Sequence, residues 1–149
     1  MRGAVAYGAC GGLFEALRSV ASPSRTDRSD REKENDMTGL SQKSCVPCRG
    51  GVPPLKGQAL AELHAQLRQS AHWKVVDQHH ITREFKFPDF KSALGFVNCV
   101  GTLAEEQGHH PDILLAWGRV AITLWTHKVD GLTESDFILA AKIDELPAV

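Results

Sequence analysis

The stretch 89–127, DFKSALGFVNCVGTLAEEQGHHPDILLAWGRVAITLWTH, decides the fold because its hydrophobic period changes partway along. Phe90, Ala93, Leu94, Val97, Val100, Gly101 and Ala104 recur at helical spacing. Asp89 stands where an N-cap oxygen is wanted and Gly108 where a left-handed C-cap is favoured, so a helix is predicted between them. Past it, Ile113 to Trp117 and Arg119 to His127 read as two strands joined at Gly118. In the second of these, Val120, Ile122 and Leu124 share one face, and Ala121, Thr123, Trp125 and His127 share the other.

The same two periods recur on either side. Upstream, Leu60, Leu63 and Leu67 mark an amphipathic helix within Lys56 to Gln69. Trp73 to Val76 and Ile81 to Phe87 are rich in β-branched and aromatic residues and form a second hairpin through Asp77 to His80. Downstream, Thr133 with Asp136 is a capping-box-like pair that opens a last helix, whose buried stripe is Phe137, Ala140, Ala141 and Ile143. The order is α-β-β-α-β-β-α. It defines an α+β fold, a four-stranded antiparallel sheet with three helices packed on one face.

Residues 1–36 differ in kind from the rest. SPSRTDRSDREKEND, residues 22–36, interleaves charges of both signs without an apolar side chain other than Pro23, so a disordered extension is expected. Upstream of it, GLFEALRSVAS can form a short amphipathic helix of presequence type. Two readings stand: a targeting segment for mitochondrial or plastid import, or a non-functional extension of a cytoplasmic protein with Met37 as its effective start. The folded domain is expected to span residues 37–149, with residues 40–55, LSQKSCVPCRGGVPPL, as an irregular lead-in.

Composition excludes several classes. The 149 residues carry 17 Lys+Arg against 18 Asp+Glu, a formal net charge of -1, which argues against a dedicated nucleic-acid or anionic-membrane binder. The uncharged stretch 3–14 falls well short of the ~20 residues a membrane-spanning helix needs. Cys10, Cys45, Cys48 and Cys99 are too few and too scattered for a disulfide framework. Cys45 and Cys48 have the spacing of half a zinc knuckle or of a dithiol, but a structural zinc needs two further ligands, and no second close pair follows at finger spacing.

Seven histidines remain, and histidine gives and takes protons near neutral pH. His64, His72, His79 and His80 read as ordinary surface or turn residues. His109 and His110 lie between the end of the long helix and Pro111, with Glu105 and Asp112 nearby. A carboxylate beside an imidazole can fix its tautomer. No H-E-x-x-H metal pattern occurs.

The joint pattern is more specific. Glu105-x3-His109-His110-Pro111, then Trp117, His127 and Asp136, flanked by FPDFKSALGFVNCV and VAITLWTHKVDGLTESDF, resembles the pterin-4a-carbinolamine dehydratases over roughly residues 40–146. The lead-in CVPCRGGVPPL resembles that of microbial-type members. The resemblance implies dehydration of 4a-hydroxytetrahydropterin to quinonoid dihydropterin in tetrahydrobiopterin recycling, without metal or cofactor. It implies His109 and His127 as acid/base residues and His110 as a substrate contact. Backbone at Gly108 and at Trp125 to Thr126 would meet the polar edge of the ring, Glu105 and Asp136 would support it, and Trp73 and Pro111 would shape the pocket. Many members carry Asp or Asn where this chain has Gly108, so a side-chain hydrogen bond from that position is absent. The family precedent also implies a homodimer or homotetramer. Two alternatives stay open: a protein-interaction module, since animal relatives serve as dimerisation cofactors of a transcription factor, and a pterin-binding protein with little turnover.

Overall fold

The computed structural model describes residues 39–46, 52–67 and 72–147; the N-terminal extension and Cys48 lie outside the described residues. After a single helical turn, Gly39–Gln42, come α1 (Gly57–Ala65), β1 (Lys74–Val76), β2 (His80–Lys86), α2 (Phe90–Gln107), β3 (Asp112–Ala116), β4 (Arg119–Leu124), a 3-10 turn (His127–Val129) and α3 (Glu134–Asp144). The four strands form one antiparallel sheet in the order β1-β2-β4-β3.

Pairing of Ile81 with Leu124, Arg83 with Ile122 and Phe85 with Val120 sets which side of the sheet is apolar. Ile81, Val120, Ile122 and Leu124 are fully buried against Ala93, Phe96 and Val100 of α2 and Phe137, Ala140 and Ile143 of α3. Each of the Val, Ile, Leu and Phe side chains contributes roughly 1.5–3 kcal/mol when taken out of water. The reverse face carries the paired Thr82 and Thr123, the Glu84–Arg119 ion pair and the exposed Leu114, so the helices lie on one side only.

Helix α2 starts and stops where its end residues dictate. Asp89 accepts a hydrogen bond from the Ser92 N–H at 2.7 Å, a contact that holds its carboxyl below the usual carboxylate value, and Gly108 takes the left-handed conformation at φ 61°. At Gly118 the turn is also sterically specified, because a Cβ there would lie 2.8 Å from the Phe87 carbonyl oxygen.

Three expectations are corrected. The lead-in is not wholly irregular: the Gly39–Gln42 turn buries Leu40, and Lys142 donates to the Ser41 carbonyl at 2.8 Å. That cover explains why α3 is buried from Ser135 through Ala140 instead of along one stripe. The last strand ends at Leu124, not His127. The Thr126 N–H turns to the Gly131 carbonyl at 2.8 Å, and the chain winds into the 3-10 turn. The turn expected between β1 and β2 narrows to Asp77–His79, since His80 pairs with Val76.

The far end of α3 holds an ion pair. Asp144 bonds Arg83 and accepts the Trp73 indole N–H at 3.0 Å; the guanidinium lies 4.4 Å above the Phe85 ring. Burial pushes the Asp144 carboxyl up from its ordinary value, against the pull of Trp73 and Arg83.

Candidate active site

The left-handed cap at Gly108 turns the chain out of α2 and delivers His109 against the start of α3. Its backbone N–H donates to the Ala104 carbonyl at 3.1 Å, and its ring is 7% exposed. His109 Nε2 lies 2.7 Å from Asp136 Oδ1. Asp136 is fully buried, a position a carboxylate holds only with several donors around it. Those donors are the Thr133 N–H at 2.7 Å and the Thr126 hydroxyl at 2.9 Å, with the Thr133 hydroxyl at 3.1 Å. Thr133 and Asp136 thus form the capping box expected of them, and Asp136 uses its second oxygen for the imidazole. A carboxylate can only accept, so the hydrogen bond places a proton on His109 Nε2.

His110 points the other way. Its Nε2 is 2.8 Å from Glu105 Oε1 one helical turn back, and both side chains are largely exposed. His127 opens the 3-10 turn, with Trp125 packed against it at 4.0 Å between ring centroids and 68° between planes. The Trp125 indole N–H donates to Asp112 at 3.0 Å.

A cavity of about 310 Å³ is lined by Gly108, His109, His110, Trp125, Thr126, His127 and Lys128. Six of these seven are residues the sequence singled out. Asp136 stands behind His109, and Glu105 contacts His110 from the helix. Pro111 is half-buried beside the cavity without lining it, and Trp117 is exposed at the β3–β4 turn. Trp73 does not shape this pocket: it is 1% exposed in the core and spends its N–H on Asp144. Among the described residues no group of three or more His, Cys, Asp or Glu is arranged to hold a metal ion. Cys45 is buried, its Sγ 3.5 Å from the Ser135 carbonyl oxygen.

Sequence reasoning missed Lys128 and the inward Thr126 hydroxyl. The first could have been found from its place next to His127. The second has no local signal. A second cavity of about 440 Å³ includes His72, Phe85, Phe87 and Phe96, but its central charges, Arg83 and Asp144, are satisfied by one another.

These features define an α+β domain with a small cavity bordered by imidazoles from the end of α2 and from the 3-10 turn after β4, one of them oriented by a buried carboxylate. Residues 54–146 match the family profile described as pterin 4 alpha carbinolamine dehydratase, and the chain belongs to that family. It is 61% identical over 110 residues to an inferred pterin-4-alpha-carbinolamine dehydratase of Rubrobacter xylanophilus, covering 74% of this chain and 100% of the relative. A relative of the same description from Alkaliphilus metalliredigens is 53% identical over 109 residues, covering 73% and 96%. The crystal structure of a transcriptional coactivator/pterin dehydratase from Brucella melitensis superposes with a TM-score of 0.56 at 37% identity, covering 62% of this chain and 97% of the other.

Proposed function

We propose that this chain dehydrates 4a-hydroxytetrahydropterin to quinonoid dihydropterin by histidine general acid/base catalysis, within tetrahydrobiopterin recycling. The observation that carries this reading is the meeting of His109, His110 and His127 on one cavity, with His109 held in a single tautomer by buried Asp136. Family membership and the names of the relatives support the same activity.

The reaction breaks the C4a–O bond and removes the N5 proton. One group protonates the departing hydroxyl, which leaves as water, and another takes the N5 proton as the N5–C4a double bond forms. His109 and His127 divide these roles, each positioned group contributing about 10²- to 10⁴-fold. His110 binds substrate, with Glu105 orienting its ring. Gly108 offers backbone only, so orientation of the pterin falls to the backbone of Trp125 and Thr126 and to the imidazoles themselves.

The test is to generate 4a-hydroxytetrahydropterin with a hydroxylase and follow its dehydration by absorbance. The chain should accelerate the step, and His109→Ala with His127→Ala should abolish the acceleration. An unchanged rate in that double variant overturns the reading.

A further inference from the structure

We infer that His79, on the turn between β1 and β2, is a positioning residue for His127. The inference rests on the acid/base reading of His127. His79 reaches the segment that carries His127 at two points that bracket it. Its ring packs on Trp125, two residues before His127, at 4.7 Å between centroids, and its Nε2 lies 3.2 Å from Oδ1 of Asp130, three residues after. Trp125 in turn packs on His127 at 4.0 Å and is tied to Asp112 through its indole N–H. The three rings therefore form a row, His79, Trp125, His127, with the middle one fixed at its edge by β3.

The backbone that presents His79 supports a role beyond closing a hairpin. Asp77 and Gln78 both take positive φ, 52° and 51°, and the His79 N–H closes the turn on the Val76 carbonyl at 2.9 Å. Two left-handed residues in succession fit the twist of a hairpin, yet Gln lacks the tolerance of Gly or Asn for that region. Gln78 is tied down by the Gly57 N–H, which donates to its Oε1 at 3.1 Å. Such local cost persists where surrounding structure over-determines the conformation, and functional segments are where it gathers.

His127 needs such help. It opens a three-residue turn past the end of β4, and Asp130 at the end of that turn is itself left-handed at φ 50°. The Asp130 contact lies at the surface and contributes little, so the ring contact carries the positioning.

The experiment is a double-mutant cycle in the dehydration assay, joined to an activity-free readout. His79→Ala should lower kcat about tenfold, a fraction of the ~10²-fold an ångström of misplacement can cost, while KM stays within about twofold. In a His127→Ala background the same change should have no further effect. His79→Phe, which keeps a ring on Trp125, should restore most of the rate. By NMR, the imidazole protons of His127, which sit in the ring current of Trp125, should shift in His79→Ala and return in His79→Phe. An unaltered kcat in His79→Ala, an equal loss in both backgrounds, or unmoved His127 resonances overturns the positioning role. If the wild-type chain does not accelerate dehydration, the functional reading falls, and the His127 resonances alone decide whether His79 positions that ring.

Discussion

Helix α3 carries a buried carboxylate at each end, and the two do different work. Asp136, in its first turn, meets the Thr133 N–H, the Thr126 hydroxyl and the His109 imidazole. Asp144, its last residue, meets Arg83 and the Trp73 indole. Position along the helix already separates them, because the N-terminal end of the macrodipole favours negative charge and the C-terminal end opposes it. The partner separates them further. A guanidinium is always charged and closes a permanent pair, whereas an imidazole changes protonation near neutral pH and can use its carboxylate to hold one tautomer during a reaction. Burial and hydrogen bonding of an acid are therefore not marks of a site. A titratable partner that borders a cavity is.

That contrast can be broken experimentally. The largest expected effect is on stability: Asp144→Ala leaves Arg83 buried without its carboxylate and should cost about 3–5 kcal/mol by urea unfolding. Dehydration per folded molecule should be unchanged; a matching loss of rate would mean the two ends of α3 are not separate.

Next is Asp136→Asn, whose amide can present N–H to the imidazole and no longer enforces Nε2 protonation. It should lower kcat about 10²-fold, near 2.7 kcal/mol, measured by single-turnover dehydration. Full activity in that variant would reduce Asp136 to a helix cap.

The smallest effect sharpens the Asp144 side. Its folded-state pKa is raised above 3.8 by burial, so the folded protein holds that proton to higher pH than the unfolded chain does. Stability from this group is therefore greatest at low pH and declines as pH rises from about 3.8 through the folded value. Asp144→Asn, which cannot ionise, should remove that decline in urea unfolding followed across the interval; an unaltered pH slope would place the titration elsewhere.

Much of the fold was legible because its signals are local. Asp89 and Gly108 bound α2 where their cap chemistry predicts, and Thr133 with Asp136 opens α3 as expected. Alternation in Arg119 to Leu124 put Val120, Ile122 and Leu124 on one face, and that face is the buried one. The same alternation overran at Trp125, since VAITLWTH keeps its period while the backbone leaves the sheet to satisfy Gly131 and to bring the Thr126 hydroxyl to Asp136. Trp73 reads from its own position as a core residue and is one; only the resemblance put it at the pocket. A strand-start tryptophan has an apolar body and one donor, and which acid takes that donor depends on how α3 crosses the sheet.

By itself the sequence determined the order of elements and the caps, because each depends on period or turn chemistry within a short stretch; the grouping of Gly108, His109, His110, Trp125, Thr126 and His127 was implied by the family resemblance. Only the tertiary structure decided which acid meets which base. Asp136 lies 27 residues beyond His109 and His79 lies 51 residues before Asp130, separations that no local pattern spans. The His109–Asp136 contact exists because one apolar sheet face buries α2 and α3 side by side, bringing the end of one helix to the start of the other, and the His79–Asp130 contact because β2 pairs with β4, with Ile81 opposite Leu124.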